Sequence, residues 1–177
     1  LRKGIGYVTQ ESVIFNDTIR SNITMWQPNV AEEVVRSVCA KANILDFIDS
    51  LPDGFETRLG DDGINISGGQ RQRISIAREL FKEVELLIFD EATSALDTES
   101  EKEIQNNLDD LRGEKTIILI AHRLSTVRNS DMVYVLKGGR ILENGSYNDL
   151  MSAGGEFKAM VDLQALTDDS IEFPTEN

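Results

Sequence analysis

The spacing of hydrophobic positions changes about half-way along the chain. Before residue 84, apolar side chains recur every three or four residues, as they do on the packed face of a helix. After residue 84, short apolar runs alternate with amphipathic segments. Strands that alternate with helices are typical of a parallel sheet covered on both faces. We therefore predict an α/β fold with an inserted, all-helical subdomain.

The first half of the chain opens on a strand at residues 5–10 and continues into helices. Asn29 and Glu32 fit a capping box, which predicts a helix starting there. The packed face of that helix would be formed by Val34, Val35, Val38 and Ala42. Further helices are predicted at residues 18–24, 44–50 and 67–81.

The second half of the chain is predicted to supply the remaining strands and their covering helices. The strands are expected at residues 86–90, 116–121 and 132–137, and the helices at 99–112, 124–129, 147–153 and 156–166. Gly138 and Gly139 separate the third of these strands from 140–144, which is the signature of a hairpin at the sheet edge. We divide the chain into residues 1–23, a helical subdomain at 24–83, a catalytic lobe at 84–166 and an acidic, solvated tail at 167–177.

Composition narrows the classes of function. Of the 177 residues, 31 are acidic and 18 basic, and the net charge of −13 repels a nucleic-acid backbone, so we expect no nucleic-acid partner. The single cysteine, Cys39, lies among apolar residues at helical spacing and is predicted to be a small buried hydrophobe. The apolar runs are too short to cross a bilayer.

An acidic pair ends the apolar run at residues 86–90. Ligands of α/β sheets collect at the carboxyl ends of strands, where Asp90 and Glu91 are expected to lie. Asp90 would then hold Mg²⁺, and Glu91 would polarise a water that attacks a γ-phosphorus. The plainer alternative is that two acidic residues end a strand and cap the next helix.

A second pattern, SGGQRQR, opens the helix predicted at residues 67–81. Ser67 offers a hydroxyl, and Gly68 and Gly69 offer backbone N–H groups, at the end of a helix where the dipole favours anions. Gln70 follows them and belongs to the same candidate phosphate site. An ordinary serine N-cap followed by flexible glycines is the competing interpretation.

Three further polar residues stand near predicted strand ends or helix starts. His122 follows the strand 116–121 as Glu91 follows its own strand, which predicts a hydrogen-bond donor to the same phosphate. Gln10 ends the first strand and is a candidate ligand for the metal or for the attacking water. Asp97 is either a helix-start residue or a contact to a partner subunit.

These motifs resemble the nucleotide-binding domain of ATP-binding-cassette (ABC) transporters of the exporter type. VTQESVIFNDTIRSNI is similar to the family's glutamine loop, ISGGQ to its signature, LLIFDE to its Walker B strand, SALD to its D-loop and AHRLST to its switch-histidine segment. The similarity runs from about residue 4 to residue 150. One departure is Ile66, which replaces the family's usual leucine with a side chain of the same volume.

The resemblance implies a partial RecA-like parallel sheet, with ATP and Mg²⁺ as cofactors. It also implies a head-to-tail dimer in which Ser67, Gly68 and Gly69 contact the γ-phosphate held by a second nucleotide-binding domain. Closure on ATP would pull on the transmembrane domain of the same transporter, at the cytoplasmic face of the membrane. None of the lysines follows a glycine, so the Walker A pattern G-x-x-x-x-G-K-[ST] is not found. We therefore expect these 177 residues alone neither to hold nor to hydrolyse ATP.

Two other classes of function remain open from the residues. A chromosome-organising or DNA-repair ATPase also separates its signature from its phosphate loop, but such chains place heptads before the signature and none is seen here. A non-catalytic half-domain would contribute its ISGGQ face to the nucleotide of a partner. The acidic strand end and His122 count against that second interpretation.

Overall fold

The computed structural model describes residues 4–61, 63–92, 98–109, 111–121 and 123–169. It has the α/β architecture predicted from the sequence. The chain divides into two compact units, Leu1–Ile120 and Ala121–Asn177. In the described part of the chain, no helix combines the length and the apolar character needed to cross a membrane.

The strands and helices follow the predicted order. The strands are β1 Ile5–Val8, β2 Leu86–Asp90, β3 Thr116–Ile120, β4 Val133–Lys137 and β5 Arg140–Gly145. The helices are α1 Ile19–Thr24, α2 Glu32–Lys41, α3 Leu45–Asp49, α4 Gly68–Phe81, α5 Thr98–Asp109, α6 Tyr147–Ala153 and α7 Glu156–Asp169. Short 3₁₀ turns occupy Gly54–Glu56 and Leu124–Val127, the second in place of a predicted α-helix.

The first unit is built on a three-stranded parallel sheet with β2 in the centre. β1 pairs with β2 so that Val8 lies opposite Phe89, and β2 pairs with β3 so that Asp90 lies opposite Ile120. The three strands therefore end at the same edge of the sheet. This edge is where the sequence analysis places the reacting groups.

Helix α4 forms the centre of the helical layer on this sheet. It packs against α1, α2 and β1, and its Ile74, Ile76 and Ala77 are fully buried. These side chains join Val8 and Leu87 of the sheet in one hydrophobic core. Because β1 and α4 share that core, the position of the first strand depends on the position of the helix.

The start of α2 was predicted wrongly. The helix begins at Glu32 after Ala31, and Asn29 takes the left-handed conformation, with φ of 57°, instead of capping it. Asparagine adopts that conformation at low cost, so a turn competes with a helix cap. The packed face is correspondingly centred on Val35 and Cys39, and Val34 is 45% exposed. Cys39 is buried as predicted, and burial raises the pKa of its thiol to about 12.

The second unit contains the hairpin and the last two helices. The glycine turn was predicted correctly, because Gly138 and Gly139 both have positive φ and join β4 to β5. The hairpin was expected at the edge of the parallel sheet, but in the described residues β4 and β5 form a separate two-stranded sheet. The separation follows from packing, since Val133 and Val135 lie in a hydrophobic cluster of this unit with Phe157.

The predicted boundary of the acidic tail was also wrong. Helix α7 continues to Asp169, whereas the tail was expected from residue 167. Extending a formed helix adds one hydrogen bond for each residue that is fixed, so a helix can run beyond its apolar stripe. Residues 170–177 lie outside the described part of the chain.

One face of the parallel sheet leaves apolar side chains in solvent. Ile118 and Ile120 of β3 are 46% and 49% exposed, and Ile5 and Tyr7 of β1 also lie in solvent. Contiguous apolar surface of this kind favours association. We expect this chain to self-associate at micromolar concentration in static light scattering, and Ile118→Lys to reduce that association. Leu163→Lys removes an exposed leucine of the second unit and is the matched control. A wild-type chain that stays monomeric would contradict this expectation.

Candidate functional site

The acidic pair lies at the carboxyl end of the central strand, as the sequence predicts. Asp90 is the last residue of β2, and its Oδ2 accepts a hydrogen bond of 2.6 Å from the hydroxyl of Tyr7. Tyr7 lies opposite Ile88 in the register, so its side chain reaches Asp90 diagonally along the same face of the sheet. The hydrogen bond to Asp90 raises the pKa of Tyr7, with smaller contributions from burial and from the charge of Asp90.

Tyr7 was missed by the sequence analysis. The available signal was strand alternation, which puts Tyr7 on the face of β1 opposite the buried Val8. Finding the contact also required the register of β1 against β2, which local patterns do not contain. One carboxylate oxygen of Asp90 is thus oriented by a neighbouring strand.

Glu91 adopts an uncommon backbone conformation. Its φ is 51°, in the left-handed region that non-glycine residues rarely occupy, and its N–H donates to the carbonyl of Ile120 at 3.0 Å. Holding a glutamate there costs on the order of 1–3 kcal/mol. Glu83, which precedes the other end of β2, has φ of 49°, so the conformation alone does not mark a functional residue. Here the hydrogen bond to β3 fixes the residue that follows β2.

The start of α4 is a complete capping box. The hydroxyl of Ser67 accepts the N–H of Gln70 at 3.2 Å, and the side-chain oxygen of Gln70 accepts the N–H of Ser67 at 2.8 Å. The first N–H groups of a helix have no acceptor within the helix, and the box uses that of Gln70. The N–H groups of Gly68 and Gly69 remain at the positive end of the helix dipole.

This geometry bears on both interpretations of the SGGQ run. The serine N-cap is present, and it leaves two glycine N–H groups pointing out of the helix start. Ser67 is exposed, and a Cβ added to Gly68 would meet no described atom nearer than Nη2 of Arg71, at 3.9 Å. An anion can therefore approach the backbone closely. Gln70 acts as a cap in this structure, and its predicted contact to a ligand stays a prediction.

Gln10 is exposed and comes two residues after Val8, as Glu91 comes two residues after Phe89. The parallel register therefore puts Gln10 at the sheet edge that carries the acidic pair. His122 and Asp97 lie outside the described residues, so their predicted roles stay predictions. Gln72 and Arg78 of α4 were not singled out from the sequence, although both contact the segment that follows β1.

The acidic pair fits a magnesium ion that arrives with phosphate ligands. Mg²⁺ keeps several waters and is commonly bound by one or two carboxylates together with substrate phosphates. The described residues contain no cluster of three potential metal-ligating side chains. A Mg²⁺ site that takes its other ligands from phosphates and water requires a single oriented carboxylate, and Asp90 is a donor of this kind.

Comparison with known proteins identifies the family. The sequence profile described as ABC transporter matches residues 1–94, more than half of the chain. The chain belongs to the ABC transporter family. The matched residues contain the capped helix start, the acidic pair and Gln10.

Individual curated proteins are similar to most of the chain. An ATP-dependent lipid A-core flippase of Desulfotalea psychrophila is 49% identical over 164 residues, which are 93% of this chain and 29% of the flippase. The heterocyst differentiation ATP-binding protein HepA of a Nostoc species is 48% identical over 156 residues, 88% of this chain and 26% of HepA. The chain thus spans less than a third of these curated relatives.

A solved structure shows the same fold. The structure of a bacterial Atm1-family ABC exporter with ATP bound superposes with a TM-score of 0.86 at 43% sequence identity. The match covers 93% of this chain and 29% of the exporter chain. The α/β fold with its helical layer is therefore that of part of an ABC exporter.

Proposed function

We propose that this chain is the signature and Walker B part of the ATPase domain of an ABC exporter, which couples ATP binding and hydrolysis to export across a membrane. The observation that carries the proposal is the acidic pair, with Glu91 directly after the tyrosine-bound Asp90, at the edge where three parallel strands end. The capped helix start of α4 supplies the complementary anion site.

The two residues of the acidic pair have different roles in hydrolysis. Asp90 would hold Mg²⁺, with one carboxylate oxygen oriented by the hydroxyl of Tyr7. When bound, Mg²⁺ would neutralise charge on the phosphate oxygens. Glu91 accepts a proton from the attacking water, and its backbone is fixed for that task by the hydrogen bond to Ile120. Gln10 orients the metal or the water, and His122 donates to the γ-phosphate.

The helix start acts on a nucleotide held by a second nucleotide-binding domain. Ser67 and the N–H groups of Gly68 and Gly69 donate to the γ-phosphate, with Gln70 behind them. Asp97 contacts the partner subunit. Because each γ-phosphate then needs groups from two subunits, hydrolysis requires the closed head-to-tail dimer.

Closure of the ATPase domains moves the transmembrane domain of the same transporter. The ATPase domain therefore lies at the cytoplasmic face of the membrane. Residues 15–22 and the helical layer transmit the motion. The cargo is set by parts of the protein other than these residues.

Two measurements test the proposal together. We expect the full protein of which this chain is a part to release phosphate from Mg-ATP in detergent or vesicles. We expect this 177-residue chain to show no micromolar binding in a calorimetric titration with Mg-ATP, because none of its lysines follows a glycine. Micromolar binding by the chain would show that it contains its own nucleotide cradle. A full protein without ATPase activity would refute the proposed function.

A further inference from the structure

Arg78 on α4 makes an unusual set of contacts for a buried cation. Only 6% of the residue is exposed. Its guanidinium donates from Nε to the carbonyl of Asn22 at 2.7 Å, from Nη1 to the carbonyl of Val13 at 2.9 Å and from Nη2 to Oδ1 of Asn22 at 3.2 Å. It also lies over the ring of Phe15, 5.0 Å from the centroid. A buried charge must be well hydrogen-bonded, so these contacts fix the partner backbone firmly.

The residues held by Arg78 belong to what we call the glutamine segment, residues 9–22. Asn22 closes this segment internally, because its Oδ1 accepts the N–H of Phe15 at 2.8 Å and its Nδ2 donates to the carbonyl of Phe15 at 3.0 Å. Asn22 is fully buried. Arg78 therefore binds a loop that its own hydrogen bonds already hold together. A shift of α4 at this point would move the loop as a whole.

Gln72 attaches the other end of the glutamine segment to the same helix. It is 2% exposed, its Oε1 accepts the hydroxyl of Ser12 at 2.9 Å, and its Nε2 donates to the carbonyl of Thr9 at 3.1 Å. Thr9 and Ser12 stand on either side of Gln10. The segment is thus fastened to α4 at two points, one of them around Gln10.

Both attachments lie on the helix that begins with the capping box at Ser67. Within α4, Gln72 comes in the second turn and Arg78 near the end. An α-helix is stiff over this length, so displacement of its first turn moves both attachment points together. The same helix therefore presents the anion site at one end and holds the glutamine segment along its length.

We propose that Gln72 and Arg78 are positioning residues that transmit phosphate engagement at the start of α4 to the glutamine segment. This inference rests on the proposed function, because it needs a nucleotide to act on Ser67. Neither side chain touches the nucleotide. Their effect is that Gln10 and the residues following it change position when the helix start is occupied.

The test is hydrogen exchange on the full protein with and without the non-hydrolysable analogue Mg-AMP-PNP. In the wild type, we expect the nucleotide to slow exchange of the glutamine-segment amides by about tenfold, the equivalent of one or two hydrogen bonds. In Gln72→Leu, we expect this nucleotide effect to fall below about threefold, because two of the bonds to the segment are lost. Nucleotide affinity should stay within about twofold of the wild type, since Gln72 is not at the anion site.

Three comparisons separate transmission from loss of stability. Lys82→Met removes an ion pair to Glu79 at the end of α4 and should preserve the full nucleotide effect. Ser12→Ala removes one partner of Gln72 at a less buried position and should give an intermediate effect even if Gln72→Leu folds poorly. Arg78→Lys keeps the charge without the planar fork, and it should also reduce the effect.

Failure of the inference and failure of the proposed function would give different experimental results. If Gln72→Leu speeds exchange equally with and without nucleotide, the residue is merely structural and the inference is wrong. An unchanged nucleotide effect in Gln72→Leu also overturns it. A wild-type protein that does not bind Mg-AMP-PNP at all would instead refute the proposed function on which the inference rests.

Discussion

Replacing Glu91 with Gln in the full protein is expected to abolish ATP turnover while ATP binding is retained. The amide keeps the size of the side chain but accepts protons poorly, so the attacking water loses its base. Loss of a general base lowers the rate by roughly a hundredfold to ten-thousandfold. Phosphate release measures turnover, and equilibrium binding of labelled Mg-ATP measures affinity.

Glu85→Gln is the matched control for this substitution. Glu85 is exposed and directly precedes β2, so the same chemical change is made at the opposite end of the same strand. We expect turnover within about twofold of the wild type, because exposed substitutions away from a site have small effects. If Glu91→Gln releases phosphate at the rate of Glu85→Gln, Glu91 is not the base.

The assignment of Glu91 rests on its place directly after Asp90 at the carboxyl end of β2, because Glu83, before the other end of that strand, has the same left-handed backbone, with φ of 49°. The capping box, by contrast, has a sufficient structural explanation in helix stability. The acidic pair therefore carries more of the functional argument than Ser67 does.

Local sequence patterns correctly predicted the elements whose ends are set by neighbouring residues in the chain. β2 was predicted to the residue, because an apolar run is bounded by Glu85 and by the acidic pair, and the hairpin turn followed from two glycines. The start of α2 failed where one residue type, Asn29, suits both a cap and a turn. The sheet to which the hairpin belongs is a matter of long-range packing, and spacing along the chain carries no information on it.

The candidate site likewise contains residues that local sequence reveals and residues that only the fold reveals. Ser67 and Asp90 were found because their roles depend on a helix start and a strand end, which are visible in the sequence. Tyr7, Gln72 and Arg78 act through partners far away in the sequence, so their contacts required the fold. Sequence reasoning thus named the candidate phosphate-site residues, whose roles stay predictions, and missed the residues whose contacts come from distant parts of the chain.

The start of α4 offers a substitution with opposite effects on stability and on activity. Gly68→Asp places a carboxylate at the positive end of the helix dipole, which favours folding by about 0.3–1 kcal/mol. The same carboxylate stands where the γ-phosphate is proposed to bind, and juxtaposed like charges cost several kcal/mol. We expect urea unfolding to show this chain slightly stabilised and phosphate release by the full protein to fall by about a hundredfold or more.

Gly68→Ala isolates the charge from the added side chain. The new Cβ has room, with Nη2 of Arg71 as its nearest described neighbour at 3.9 Å, and alanine favours helix by up to about 1 kcal/mol over glycine. Both variants should therefore be at least as stable as the wild type, but Gly68→Ala keeps the N–H group without adding a negative charge. If both variants hydrolyse ATP at the wild-type rate, no anion binds at this helix start, and Ser67, Gly68 and Gly69 serve only to begin α4.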